Sequence, residues 1–342
     1  MKNRLNPFKY AYVACFIASS LFACIRPNSN TKDANTGANP AESEHSYTDA
    51  VPALPAVEFN ADSAYAFVKA QVDFGPRIPS TAAHAACANY LQQKLKSYGA
   101  SVFVQTAPIK TYDGKTHQLK NIIAAIAPEK AKRILISAHW DTRPFSDQDP
   151  DHNNHEKTFD GANDGGSGVA VILEMARQIQ LKQPEVGVDF ILWDIEDYGN
   201  PNGDGNGKTS YCLGSQYWAK NMPVKGYKPL YAINLDMVGG ENAQFTMEEY
   251  SRQFAPQVVD KVWGIAEQLG YNRFFLPVNS SAIMDDHYWM NKAGIPTIDI
   301  IHFSDAGFYS NWHTQFDNLA HIDKNALNAV GRVVMTAIYN EK

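Results

Sequence analysis

The sequence predicts a single α/β domain, a three-layer α/β/α sandwich around a mixed, largely parallel central sheet. Three observations carry this expectation. Short apolar runs rich in Val and Ile alternate along the chain with amphipathic helical segments, the pattern of strands joined by helical crossovers. Hydrophobic residues make up 44% of the 342 residues and charged residues 19%, enough apolar material for one large core. No internal repeat, second apolar membrane segment or linker interrupts the chain after residue 60.

The elements follow in order. Asn60 or Asp62 caps a helix running to about Phe74, which Gly75-Pro76-Arg77 breaks. A second helix spans Thr81 to Tyr98, with Ala86, Tyr90, Leu91 and Leu95 at helical spacing and Gly99 as its stop. Strand-like runs come next, at Val102–Thr106, Asn121–Ile126 and Arg133–Ala138. Helix-forming sequence resumes at Gly168–Leu181, ahead of a buried strand at Val188–Trp193. A strand at Leu230–Leu235, a helix over Pro256–Leu269, a strand at Thr297–Ile301 and a helix from Asp323 to Tyr339 complete a domain of residues 58–342.

The N-terminus reads as a targeting segment, residues 1–24. Lys2, Arg4 and Lys9 precede an apolar run, Ala11 to Ala23, that is too short to span a bilayer comfortably. It ends in Leu21-Phe22-Ala23-Cys24, which resembles a lipoprotein signal with Cys24 as the lipidated residue; bulky Phe22 keeps ordinary signal cleavage as the alternative. Residues 25–57, rich in Asn, Ala, Pro, Ser, Thr and Glu, read as a disordered tether. The protein is therefore expected to be exported and periplasmic, attached to a membrane only through a lipid on Cys24.

A formal net charge of −6 offers no basic surface for a phosphate backbone, so nucleic acid is not an expected partner. Cysteines at 15, 24, 87 and 212 lack metal-ligand spacing, which removes structural Cys-zinc sites. Export permits a Cys87–Cys212 disulfide without requiring it.

The chemistry-bearing residues stand directly after the apolar strands. Ile134–Ala138 leads into His139-Trp140-Asp141, Phe190–Trp193 into Asp194-Ile195-Glu196-Asp197, Tyr231–Leu235 into Asp236, and Ile298–Ile301 into His302 and then Trp312-His313. In open α/β sheets the carboxyl ends of the strands form the ligand crevice, so these segments converge there. Several strand ends each delivering Asp, Glu or His point to a metal. The loop Gly161-Ala162-Asn163-Asp164-Gly165-Gly166-Ser167-Gly168 opens a helix but lacks the Lys-Ser/Thr ending of a phosphate loop and the GxGxxG spacing of a dinucleotide site. Asp164 is then the better candidate there, as a metal ligand, with glycines letting the backbone turn sharply beside the ion. Carboxylates plus His, without Cys, suit a catalytic zinc that keeps one position open. Asp164, one of the Glu196-Asp197 pair and His313 supply three ligands and leave one carboxylate to move protons; zinc would lower its pKa and burial would raise it.

Taken together, His139-x-Asp141, Gly161-Ala162-Asn163-Asp164, the acidic pair 196–197, Asn234-Leu235-Asp236 and Trp312-His313-Thr314 resemble the zinc aminopeptidase and glutaminyl cyclase superfamily. The likeness runs in order from about residue 60 to the end and implies a zinc-exopeptidase-like fold. Its two-zinc aminopeptidases use the His of the HxD motif together with the bridging Asp, the second acidic residue of the pair, a further Asp and the last His. Its glutaminyl cyclases hold one zinc. Carried onto this chain, the cyclase pattern implies one Zn2+ per chain on Asp164, Asp197 and His313, Glu196 as general acid/base, and Asp236 and Asp285 as hydrogen-bonding carboxylates beside it. Met284-Asp285-Asp286-His287 resembles the cyclase Asp-Asp-His segment, Trp312 and Phe308 resemble the aromatic walls of its glutamine pocket, and Trp193–Tyr198 is similar to the bacterial branch. His302 takes a hydrogen-bonding role on that pattern, or is a core histidine. Asp197 stands where animal cyclases have Glu, one methylene shorter but of the same ligand type. His139 is retained, which leaves a second zinc open.

The implied activity is glutaminyl-peptide cyclotransferase, converting N-terminal glutamine of peptides and proteins to pyroglutamate with release of ammonia. The alternatives are a two-zinc aminopeptidase and a non-catalytic lipid-anchored binding protein; retention of every catalytic carboxylate argues against the last. The oxygen-rich loop 200–207 lacks the bidentate Glu of a calcium loop and reads as a flexible turn. Asp147, Asp149, Asp151, His152 and His155 read as a mobile surface loop beside the cleft, His84 and His321 as surface or helix residues, and His287 as either network or core.

Overall fold

The structure, a computed structural model, describes residues 53–203 and 209–342; the signal segment, Cys24 and nearly all of the tether lie outside the described residues. Leu54 and Val57 already pack against the core. Helix α1 (Ala61–Val72) starts where the Asn60 side chain accepts from Ser63 N, and α2 (Ala82–Ser97) where Thr81 accepts from His84 N. Each cap satisfies an amide that has no partner within its own helix.

Strands β1 (Ser101–Lys110) and β2 (Thr116–Ile126) form an antiparallel hairpin in register from Ser101↔Ala125 to Lys110↔Thr116. Both are longer than their apolar runs suggested, because cross-strand pairing carries the ladder through the alternating polar residues near the turn. The chain continues through β3 (Arg133–His139), α3 (Gly166–Leu181), β4 (Gly187–Trp193), α4 (Leu213–Lys220), β5 (Ala232–Asp236), β6 (Phe245–Met247), α5 (Glu249–Phe254), α6 (Pro256–Gln268), β7 (Phe275–Asn279), α7 (Asp286–Lys292) and β8 (Thr297–Ile301) to the final helix α8 (Lys324–Asn340). The sequence reading missed α4, α5 and α7, which are too short to establish a helical period of their own.

The main sheet runs β1-β2-β4-β3-β5-β8. Strands β4, β3, β5 and β8 are parallel to their neighbours, and the β1–β2 hairpin joins antiparallel through β2. Alternation along the strands separates two cores. Ile134, Ile136, Val188, Phe190 and Leu192 face the larger one under α1, α2, α3, α6 and α8, whereas Leu135, Ile191 and Trp193 face a smaller one with Trp218 of α4 and Met290 of α7. This is the expected three-layer sandwich. The α3 backbone lies so close to β5 that a Cβ on Gly168 would stand 2.5 Å from Leu235 O. Cys87 and Cys212 are both free and buried, so the optional disulfide is not formed. No helix among the described residues is long and apolar enough to cross a membrane.

Candidate active site and metal centre

The parallel strands end at one edge of the sheet, and their following residues meet there. His139 closes β3, Glu196 and Asp197 follow β4, Asp236 closes β5, and Asp285 caps α7. Glu196, Asp197, Asp236 and Asp285 line a cavity of about 210 Å3 with Asp164, Tyr211, Ile283, Met284, Ile301, Phe308 and Trp312.

Local backbone geometry puts these side chains in place. Gly165 turns the chain into α3 at φ +74°, where a Cβ would meet Asp141 O at 2.9 Å and His139 Cε1 at 3.0 Å. Asp317 receives the amides of Asn163 (2.7 Å) and Asp164 (3.0 Å), fixing the loop that carries Asp164. Asp141, the second residue of the HxD motif, does the same for the amides of Glu196 (3.0 Å) and Asp197 (3.2 Å). Ile195, Cys212, Met237 and His313 are non-glycine residues in left-handed backbone, with φ of 55°, 57°, 49° and 53°. Such conformations cost energy and survive where surrounding contacts over-determine them.

The three expected ligands come together. His313 Nε2 lies 3.0 Å from Asp197 Oδ1 and 3.4 Å from Asp164 Oδ2. All three residues are buried, and their donor atoms lie within 4.8 Å of one another. Asp164 Oδ2, Asp197 Oδ2 and His313 Nε2 make no hydrogen bond among the described residues. Buried polar atoms left unpaired in one place carry a desolvation cost that a bound cation would remove. Two carboxylates and an imidazole are donors suited to zinc. A second group, His139, Asp164 and Asp236, is also compact, but there His139 Nε2 hydrogen-bonds to Asp236 Oδ1 at 3.2 Å and lies 2.9 Å from Asp164 Oδ1. In that group His139 Nε2 is paired, while His139 Nδ1 makes no hydrogen bond among the described residues.

Electrostatics follow from the crowding of carboxylates. Burial pushes the Glu196 carboxyl well above its usual range; His139 opposes the rise, while Asp197, Asp286 and Asp236 add to it. Burial likewise raises Asp285 well above its ordinary value, Asp236 to about 6 and Asp286 to about 7. Asp164 goes the other way, because contacts with His139 and His313 outweigh its burial and hold it far below the usual carboxylate range.

The walls match the expectation in part. Phe308, Trp312 and His313 stack in sequence, with ring centroids 4.3 Å and 3.8 Å apart. His302 is not among the cavity-lining residues; its ring lies against Tyr309, and burial lowers its pKa to about 4. Asp147 corrects the surface-loop reading. It takes a two-pronged ion pair from Arg143 (2.8 Å for each contact) and sits 3.2 Å from His313 Nδ1. Asp149 is buried, accepting from Gln315 N at 2.9 Å. His84 is no surface residue either: it is buried on Trp140 and 2.8 Å from Asp194. His287 sits away from the cavity between Glu248 and Asp299, at 3.1 and 3.2 Å. The loop 200–207 lies partly outside the described residues. Sequence reasoning also missed the clamping roles of Asp141 and Asp317; the HxD motif was the signal for the first, and nothing local marks the second.

The chain belongs to peptidase family M28, whose pattern matches residues 121–338. Its close structural neighbours include bacterial glutaminyl cyclases. The glutaminyl cyclase of Bacteroides thetaiotaomicron, solved with N-acetylhistamine, is 50% identical, with a TM-score of 0.81 covering 85% of this chain and 100% of that one. A Zn-dependent exopeptidase from Parabacteroides distasonis is 49% identical, with a TM-score of 0.81 over 84% of this chain and 100% of that chain. An aminopeptidase of Bacillus subtilis is 29% identical over 68% of this chain, which spans only 47% of that relative's length. The protein is thus an enzyme of the M28 and glutaminyl cyclase type.

Proposed function

We propose that the protein is a glutaminyl-peptide cyclotransferase with one zinc ion per chain, held by Asp164, Asp197 and His313. The observation that carries this reading is the contrast between the two donor groups. Asp164 Oδ2, Asp197 Oδ2 and His313 Nε2 are without a hydrogen bond in the first, whereas in the second His139 Nε2 is bonded to Asp236 and only its Nδ1 and the shared Asp164 Oδ2 are not. The 50% identity to a glutaminyl cyclase supports the same choice over the two-zinc aminopeptidase.

Held by Asp164, Asp197 and His313, a zinc ion would supply Lewis-acid chemistry toward the side-chain amide of the substrate. The α-amine of an N-terminal glutamine has a pKa near about 8, so a neutral fraction is present without strong activation. Its nitrogen attacks the side-chain amide carbon, and Glu196 accepts the proton it sheds. Glu196 then returns that proton to the amide nitrogen as the carbon–nitrogen bond breaks, releasing ammonia and leaving the lactam. Because nucleophile and electrophile belong to one residue, the cavity mainly has to fold the glutamine for ring closure. The Phe308–Trp312 stack, with Ile283 and Ile301, forms the apolar wall for that purpose.

The test combines metal analysis with product analysis. Purified protein should hold one zinc per chain and release one ammonia from a Gln-initiated peptide without shortening it. Glu196→Gln should keep the zinc and lose turnover by about 10²–10⁴-fold. Stepwise shortening of the peptide with two zincs per chain would establish the aminopeptidase instead, and zinc without either product the binding protein.

A further inference from the structure

We propose that Cys212 is a positioning residue, its thiol holding the Glu196 carboxylate in the orientation that proton transfer requires. The inference rests on the reading of Glu196 as the proton carrier. Cys212 Sγ donates to Glu196 Oε1 at 3.1 Å, and no other hydrogen bond reaches that carboxylate among the described residues. The nearest imidazole contact, His139 Nδ1, is 3.9 Å away. The backbone reinforces the pairing. Cys212 N donates to Glu196 O at 2.8 Å, and Leu213 N to Ile195 O at 3.0 Å. These bonds link two segments that each carry a left-handed residue, Ile195 and Cys212.

A glutamate side chain has several rotatable bonds, so a carboxylate without donors loses its aim. A thiol suits the task chemically. It is a weak donor, so it can fix direction without strongly favouring the charged form that must alternately take and return a proton. Burial and the surrounding carboxylates raise the Cys212 pKa well above its usual value, keeping the group a neutral donor. Beyond Glu196, Sγ also approaches Asp285 Oδ1 at 3.9 Å, and Asp285 Oδ2 accepts from Asn234 at 3.1 Å. The thiol therefore stands between the proton carrier and the carboxylates behind it. Cys87 offers the contrast, buried in the apolar core on α2.

The experiment compares Cys212→Ala and Cys212→Ser in the zinc-loaded enzyme. Alanine removes the donor; serine keeps one of similar size. Loss of the donor should lower kcat by about tenfold, part of the 10²–10⁴ that general acid–base catalysis supplies, with KM unchanged within about twofold. Serine should recover most of kcat, and zinc content should match the wild type in both. Wild-type kcat in the alanine variant, or a serine variant as slow as alanine, overturns the proposal. Should the variants fold poorly, the Raman S–H stretch of the wild-type protein decides the matter. Glu196→Gln weakens the acceptor and should move that band to higher wavenumber, whereas an unmoved band overturns the proposal. That spectroscopic arm needs no turnover. Peptide shortening by the wild type would end the cyclase reading while leaving the thiol band to report on Cys212.

Discussion

At the scale of single residues, the proposed ligand His313 owes its placement to one cavity-wall residue and to groups outside the cavity lining. Its backbone is left-handed, Phe159 and Trp312 flank its ring, and Asp147 stands 3.2 Å from Nδ1. Asp147 is in turn fixed by the Arg143 fork, which also donates to Asp197 O at 3.1 Å. One arginine thus braces two of the three proposed ligands. Such carboxylate–histidine pairs orient the imidazole and raise its basicity toward a metal. Asp147→Asn should weaken zinc affinity by roughly 10–100-fold, measured by competition with a chelator. Wild-type affinity in that variant would leave Asp147 as a loop anchor only.

Among the elements, α3 matters most for the site because its entry loop carries Asp164. It is buried along most of its length, and Gly168 presses it against β5, whose last residue is Asp236. Gly168→Ala must push α3 and β5 apart, since the obstructing atom is a backbone carbonyl rather than a flexible side chain. The expected cost is about 1–3 kcal/mol, lowering the melting temperature by roughly 2–4 °C per kcal/mol in a domain of this size. An unchanged melting temperature would show that the two elements separate freely. The prediction belongs to this scale because no polar contact is lost; only the spacing of two elements changes.

For the molecule as a whole, a buried cluster ties three separate elements together behind the site. Glu248 at the start of α5, His287 on α7 and Asp299 on β8 form one line of contacts. Burial lowers the His287 pKa, but Asp299 and Glu248 outweigh it and raise the value to about 9. A raised histidine contributes stability that is complete below its ordinary value of 6.5 and lost as pH rises through about 9. Glu248, held down to about 2, is the same contact from the acid side, its share complete above 4.5 and lost as pH falls through about 2. Urea midpoints should therefore fall on the alkaline side in the wild type and fall less in His287→Gln. Parallel slopes for the two proteins would remove this cluster from the stability of the fold.

The sequence by itself determined the sandwich, most of its longer elements and the strand ends that carry the chemistry. Periodicity reports local burial, and a polar residue directly after a buried strand can only stand at the sheet edge. It also narrowed the proposed metal centre to Asp164, the Glu196-Asp197 pair and His313, and the family resemblance implied Asp197 within that pair. Tertiary structure alone decided how they are held. Asp317 clamps Asp164 from 153 positions away, and Asp141 clamps Asp197 across 56. His84, read as a surface or helix residue, lies on helix α2 as a buried partner of Asp194, and Asp147, read as part of a mobile surface loop, is a part-buried partner of Arg143. Pairings of that kind depend on strand order and on left-handed turns, which leave no periodic trace in the chain. The same reason kept the Cys212 thiol out of view until the backbone bonds of residues 195 and 196 brought it against Glu196.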